Sequence, residues 1–243
     1  GLVGSEMCIR DSDSDVLFAD DTDHSRYSFF GIKAELARNT LDKFLYPRRG
    51  SDLKLSGIFV TGRDKYEPFD AEKFLSRTSR QWVGARLTWD KYFDMPGCSW
   101  FSLGLNVDGV ITNHPEFTTE GATVMSMPAY EPVPHAQMIY MPDFRGKRFA
   151  AGGVMPTFDL MPNFFLRTGF YAMFREKRSF VPGVSGPVED KRWHYIAEAS
   201  LVYHTPIGPV SLALTKYDLR NWKNMYLTFN FGYAIFAPKG TFY

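Results

Sequence analysis

Between Trp100 and Val110 the chain alternates strictly: Phe101, Leu103, Leu105 and Val107 are apolar, and Ser102, Gly104, Asn106 and Asp108 fall between them. Extended backbone turns successive side chains to opposite faces, so this spacing predicts a strand with one greasy face and one wet face. The same reading applies to the last segment, where Met225, Leu227, Phe229, Phe231, Tyr233 and Ile235 oppose Tyr226, Thr228, Asn230, Gly232, Ala234 and Phe236. It applies again where Trp193, Tyr195, Ala197, Ala199, Leu201 and Tyr203 oppose His194, Glu198, Ser200 and His204. Carried along the chain, the pattern predicts about eleven strands. They lie near Phe29–Asn39, Asp52–Thr61, Gln81–Tyr92, Ser99–Ile111, Ala122–Met127, Ala136–Met141, Lys147–Leu160, Asn163–Phe174, Arg192–His204, Pro209–Tyr217 and Met225–Phe236. Helical spacing is confined to Ala71–Arg80, which fits a short helix.

Most of these strands run to about 10–14 residues, against about 5–6 in soluble sheets, while about 9–11 tilted residues cross the hydrocarbon of a bilayer. The connections alternate in length. "DLMPN" and "TPIGP" are tight, whereas Gly62–Arg80 and Arg175–Lys191 are long and polar, which is the habit of outer-membrane barrels. The fold class expected is therefore all-β, an antiparallel transmembrane β-barrel. A soluble β-sandwich or lipocalin-like barrel would show the same alternation with the greasy face turned inward, and alternation alone does not choose between them.

Composition narrows the choice. Of 243 residues, 16% are aromatic, including 22 Phe and 13 Tyr, roughly double the usual soluble share. The net charge of +1, with Lys and Arg spread along the chain, offers no field to recruit nucleic acid. No run of about 18 apolar residues exists to form a membrane helix, so a membrane role must be played by strands. Two cysteines, Cys8 and Cys98, supply neither a disulfide framework nor a four-ligand zinc site. The opening "GLVGSEMCIRDS" resembles a translated sequencing-adapter prefix and is set aside from fold reasoning. With it aside, the organisation expected is a prefix over residues 1–12, a polar loop over 13–28 and a barrel segment over 29–243, the gene being cut at its 5′ end.

Four segments carry a resemblance: "NTLDKFLYPRRGSDLKLSG" (Asn39–Gly57), "YEPVPHAQMIYMPDFRG" (Tyr130–Gly146), "VYHTPIGPVSLALTKYD" (Val202–Asp218) and "LTFNFGYAIF" (Leu227–Phe236). Together they resemble the surface-antigen barrel of the outer-membrane assembly and secretion superfamily, and more narrowly the C-terminal barrel of outer-membrane patatin-like phospholipases. The resemblance implies sixteen strands, of which about eleven would be present here. It also implies a loop of Val/Ile-Arg-Gly-Phe/Tyr type folded into the lumen between the eleventh and twelfth. Phe144, Arg145 and Gly146 match that loop, except that Lys147 and Arg148 stand before Phe149. Five predicted strands follow it, as the family requires. The family's loop arginine meets an acid in a Phe-x-Asp-x-Gly stretch. Here that stretch is Phe165-Leu-Arg-Thr-Gly169, with Arg167 at the acid's place. Glu198 and Asp108, on wet faces, are the expected substitute partners of Arg145, and Gly146 is expected to free the backbone turn. The seam strand carries Met225, Leu227, Phe229, Phe231, Tyr233 and Ile235.

Catalytic chemistry is not legible. No Gly-x-Ser-x-Gly elbow occurs, and "GVSGP" (Gly183–Pro187) lacks its spacing. The five histidines show no paired metal spacing, and "DSDSDVLFADDTD" lacks the glycine and terminal glutamate of a calcium loop. The sequence thus predicts no catalytic residue, no metal and no cofactor. The expected role is membrane anchoring with translocation or insertion of polypeptide at the bacterial outer membrane, for a parent whose lipid-hydrolase domain is absent here. Expected partners are outer-membrane lipid, the barrel assembly machinery and a polypeptide passenger. A passive pore and a soluble β-sandwich binding module are the alternatives.

Overall fold

The computed structural model describes residues 2–11, 23–67, 76–117, 120–133, 136, 141–176, 193–206, 208–217 and 225–232. Ten strands make one antiparallel sheet in which each strand pairs with its neighbour in sequence. They are β1 (Leu2–Asp11), β2 (Asp23–Asn39), β3 (Gly50–Glu67), β4 (Ser76–Asp94), β5 (Phe101–Thr112), β6 (Arg148–Met161), β7 (Phe164–Arg175), β8 (Trp193–Thr205), β9 (Gly208–Tyr217) and β10 (Met225–Phe231). Among the described residues β1 and β10 are edges with one partner each, so the sheet is not closed into a barrel.

Nine of these strands answer predicted ones; the differences are local. Ala122–Met127 was expected as a strand, but helix α1 spans Glu120–Ser126. A short apolar run does not distinguish the two conformations. Thr123, Val124 and Met127 take the buried positions instead, at helical spacing. Ala136 is in a tight turn, its N–H reaching the Val133 carbonyl at 3.0 Å; residues 137–140 of that predicted strand lie outside the described residues. The helix expected over Ala71–Arg80 is replaced from Ser76 onward by β4, and residues 71–75 lie outside the description. The backbone of Leu2–Asp11, within the segment set aside as a prefix, pairs with β2 from Leu2↔Ile32 to Asp11↔Asp23. An open edge presents unpaired N–H and C=O groups that any extended segment satisfies. β2 begins at Asp23, inside the stretch expected to be loop.

The two faces of the sheet are inverted relative to a soluble sandwich. Phe30, Ile32, Leu55, Phe59, Val83, Leu87, Val107, Phe170, Leu201, Leu214 and Phe229 are all exposed. On the opposite face Asp52, Asp108, Glu198, Ser200, Ser211 and Thr215 are buried. The buried face is curled. Tyr46, in the loop after β2, donates its hydroxyl to Ser211 on β9 at 2.9 Å, and Arg48 pairs with Asp159 on β6. In a flat sheet, at about 4.8 Å between strands, the two ends of that reach would lie about 30 Å apart.

Turn chemistry fixes the hairpins. Pro162-Asn163 joins β6 to β7, with Asn163 at φ 63°, the pairing of proline and left-handed asparagine that a type II turn uses. Gly50 has φ 100°, and a Cβ there would stand 2.1 Å from the Thr40 carbonyl oxygen. Gly50→Ala is therefore expected to cost at least about 2 kcal/mol, read by urea unfolding in micelles. Gly57→Ala, where a Cβ meets nothing within 4 Å, is the matched control and should be near neutral. Inside the curl, the Tyr171 ring lies over Gly153 and Gly169, so close that a Cβ at Gly153 would meet it at 2.2 Å.

Candidate functional site

The described part of the long connection between β5 and β6 (113–117, 120–133, 136 and 141–147) lies on the wet face and covers it. Its start is tied to β4: Thr112 Oγ1 donates to the Val83 carbonyl at 2.7 Å, and the Val83 N–H donates to Asn113 Oδ1 at 2.7 Å. The loop then doubles back on itself. The Tyr130 N–H reaches the Phe144 carbonyl at 2.9 Å, the Gly146 N–H reaches the Pro128 carbonyl at 3.1 Å, and Ala129 bridges Arg145. Tyr130, Val133, Ala136 and Phe144 from the loop pack with Phe149, Ala151, Met155, Tyr171, Met173 and Ile196 from the sheet. This is the largest apolar core among the described residues, and it sits between loop and wet face rather than between two sheets.

Polar clamps supply the register. Arg86 on β4 holds Asp108 on β5 through two bonds of 3.1 and 2.6 Å and donates a third, at 3.2 Å, to the Ala129 carbonyl of the loop. Both side chains are largely buried, at 16% and 5% exposure. Arg175 on β7 donates to the Arg145 carbonyl at 3.3 Å and to His194 Nε2 at 3.0 Å. The Tyr130 hydroxyl donates to Asn106 Oδ1 at 2.7 Å. Lys147 pairs with Glu116 at 3.0 Å, closing the base of the loop.

The predicted loop motif is thus brought onto the wet face, with a different set of partners. The Phe144 ring is buried against His194 and Tyr217, centroids 5.6 and 6.0 Å away. Arg145 donates to the carbonyls of Met125 and Met127 at 2.9 and 3.1 Å, and the carboxylate beside it is Glu131 at 3.9 Å. Burial raises the Glu131 pKa and the Arg145 charge opposes that rise. Asp108, expected as an Arg145 partner, is held by Arg86. Glu198, the other, accepts from Ser200 at 2.9 Å and from Thr215 at 3.4 Å. Gly146 is buried but does not adopt a left-handed φ, and a Cβ there would make ordinary contact with Arg175 at 3.6 Å. The turn does not require glycine's freedom. Of the seam residues, Met225, Leu227, Phe229 and Phe231 are exposed on β10, and Tyr233 and Ile235 lie outside the described residues.

Arg167, standing where the resemblance places an acid, faces a cavity of about 510 Å³ lined also by Tyr46, Asp52, Asp90, Tyr92, Tyr171 and Glu198. Its guanidinium reaches the Tyr92 hydroxyl at 3.3 Å and lies 5.6 and 5.7 Å from the ring centres of Tyr46 and Tyr92. An aromatic cradle with a carboxylate nearby is one way to keep a buried cation satisfied. No group of three or more metal-binding side chains occurs among the described residues, and no helix of the structure is long and apolar enough to cross a membrane.

His114, next to the start of the loop, is caged by Trp82 at 4.7 Å and Phe117 at 5.2 Å. Both ring nitrogens are buried without a hydrogen-bond partner of ordinary geometry. Burial lowers its pKa to about 4, helped by the Lys147 charge and opposed only in part by the Pro115 backbone. The unfolded chain, with an ordinary histidine pKa near 6.5, binds more protons than the folded chain between these values. The neutral cage therefore contributes fully above about pH 6.5, and its contribution is lost as pH falls toward 4. Acidification over that window is expected to loosen residues 113–117, read as faster amide exchange, and His114→Phe should flatten the response.

No protein-family model matches this chain, and a search of curated proteins finds no match. Arg86, Arg175 and Tyr130 are not singled out by the sequence, and Asn106 stands out only as a wet-face position. Their only signal was that Arg86, Asn106 and Arg175 occupy wet-face positions of amphipathic strands, where every polar side chain is a candidate to hold something inside.

Proposed function

We propose that this chain is an outer-membrane β-barrel segment whose lumen is occupied by residues 113–147, serving to anchor a larger protein and to translocate or insert polypeptide. The observation that carries the reading is the inversion of faces: large apolar side chains cover the exposed surface, and carboxylates, hydroxyls and arginines lie inside. A soluble sheet exposing such a surface would aggregate; a bilayer covers it.

The dimensions support this. On β7 the rings of half-buried Phe164 and exposed Phe174 stand about 33 Å apart along the strand, or about 23 Å across a membrane at a 45° tilt, close to the roughly 25 Å apolar band of such barrels. Ring clusters mark both ends of the band: Trp100, Phe101 and Phe158 at one, Phe174, Trp193 and Tyr195 at the other. Trp and Tyr favour such interfacial positions. The connections 12–22, 68–75, 113–147, 176–192 and 218–224 all leave the second end. Those at the first end are 40–49, 95–100, 162–163 and 206–207, the last two being tight. The two longest connections, 113–147 and 176–192, share the second end, which supports reading it as the outer one. A wet face filled by residues 113–147 and by the 40–49 loop supports a gated or plugged lumen over an open pore.

Closure into a barrel and a patatin-like parent rest on the resemblance described above. Within that reading the exposed edge of β10 is the seam at which a polypeptide strand would be added, and catalysis belongs to another domain. Single-tryptophan variants refolded into vesicles with brominated lipid test the membrane placement. Trp89 and Trp193, exposed on the apolar face at 37% and 54%, should be quenched strongly, and Trp82, 3% exposed inside, should not. Equal quenching of all three would overturn the reading.

A further inference from the structure

The cavity beside Arg167 carries charges of both signs on different walls. On β3 and β4, Asp52 and Asp90 are direct cross-strand partners, and like charges so opposed repel. Lys54 bonds to one of them only, reaching Asp52 Oδ2 at 2.7 Å. Asp52 is 9% exposed, and its other oxygen has no hydrogen-bond partner of ordinary geometry. Asp90 accepts from the Asn106 amide on one oxygen at 2.8 Å, and the other accepts from no described group. On β7, Arg167 leans on Tyr92, Tyr171 and the Met155 sulfur. An arginine has five N–H donors, more than these partners take. No described carboxylate forms an ion pair with it; Glu198 on the neighbouring strand is held by Ser200 and Thr215.

Lined by Lys43, Lys54 and Arg167 against Asp52, Asp90 and Glu198, the cavity is neutral as a whole. A simple anion would face the carboxylates, and a simple cation would face Arg167 and the lysines. A molecule carrying both charges, held apart, meets each sign where donors or acceptors are left over. Spacing selects further. Tyr92, whose hydroxyl touches Arg167, stands two residues from Asp90 on the same face of β4, about 7 Å along the strand. At about 3.5 Å per extended residue, that separation suits the two ends of a dipeptide or tripeptide better than the adjacent charges of a free amino acid. The volume of about 510 Å³ falls within the roughly 300–1,000 Å³ usual for small-molecule sites. The roof is the loop after β2. Tyr46 holds its ring over Arg167 with φ at 53°, a left-handed conformation that is disfavoured for an aromatic residue and recurs at ligand clamps. We propose that this cavity binds a short zwitterionic peptide, its carboxylate on Arg167 and its ammonium on Asp90 with Asp52 alongside. The site is formed by described residues alone, whether or not lipid surrounds the sheet.

The test titrates trialanine into the full chain refolded in detergent micelles and follows binding by calorimetry. The wild-type chain should show one saturable site. N-acetyl-trialanine and trialanine amide, each lacking one charge, should bind at least about tenfold more weakly, since a hydrogen bond to a charged group contributes that factor or more. Asp90→Asn keeps the size of the side chain and removes its charge, so it should bind trialanine as weakly as the acetylated peptide and no longer distinguish the two. Arg167→Gln should lose the distinction between trialanine and its amide while still disfavouring the acetylated form. A general loosening of the fold would weaken all three peptides together and would not exchange these preferences. Trialanine that fails to bind the wild-type chain, or that binds no better than its acetylated and amidated forms, would overturn the proposal, as would an Asp90→Asn chain that keeps the wild-type preference. The peptide series on the wild-type chain decides the matter should Arg167→Gln fail to refold. Alanine held as tightly as trialanine would overturn the choice of a peptide over a free amino acid.

Discussion

Phe170→Arg and Leu103→Arg are each expected to destabilise the membrane-inserted chain by roughly 2–4 kcal/mol, the cost of an arginine on the lipid face near the bilayer midplane. Phe170 is 43% exposed on β7 between the ring pair that marks the two ends of the apolar band, and Leu103 lies on the same face of β5. Asn230→Arg places the same charge on the wet side of β10, where the present side chain makes only a 3.4 Å contact with Ser211; its cost should be under about 1 kcal/mol. Asn106 is unsuitable as the wet-face control, because it holds both Asp90 and the Tyr130 hydroxyl. Denaturant titration of the chain refolded into lipid vesicles reads the difference. Similar losses on the two faces would mean that the exposed apolar surface is not covered by lipid.

Arg86→Met should be the most damaging single change at the loop clamp, at roughly 3–5 kcal/mol, because it leaves the Asp108 carboxylate buried without its cation. It also removes the donor to the Ala129 carbonyl, so protease cutting within residues 120–133 should accelerate. Asp108→Leu added to Arg86→Met should recover much of the loss, since two apolar side chains leave no stranded charge. Arg145→Ala is expected to be milder, about 1–2 kcal/mol, because the groups it abandons are the Met125 and Met127 carbonyls and a Glu131 carboxylate that is 3.9 Å away and partly exposed, rather than a fully buried ion. Additive effects of Arg86 and Asp108 would mean that the pair does not hold the loop. An Arg145→Ala loss exceeding that of Arg86→Met would return the main anchor to the loop motif.

Much of the sheet was legible because strand geometry is local. Phe101 to Asp108 alternate whatever surrounds them, and the turn at Pro162-Asn163 is written in two residues. The misreadings fall where local spacing has no single meaning. "ATVMS" forms a helix that buries Thr123 and Val124, and Ser76–Arg80 extends because β3 pairs with it. The motif Phe144-Arg145-Gly146 was found by resemblance, but the partners assigned to it were not those it has. Glu131 is adjacent to Arg145 only because the loop doubles back at Tyr130, and Asp108 is already taken by Arg86 across a strand pair whose register no single segment states.

By itself the sequence determined an all-β chain of long amphipathic strands with tight turns at one end and long connections at the other, since period-two alternation and turn residues act over a few positions. Only the tertiary structure decided which face is exposed, because the same alternation serves a sandwich and a lipid-facing wall. It also decided what covers the wet face, since Arg86, Asp108, Tyr130 and Arg175 meet only after ten strands curl and residues 113–147 fold back across them. Burial and long-range pairing depend on how the sheet bends, and no short stretch of chain carries that information.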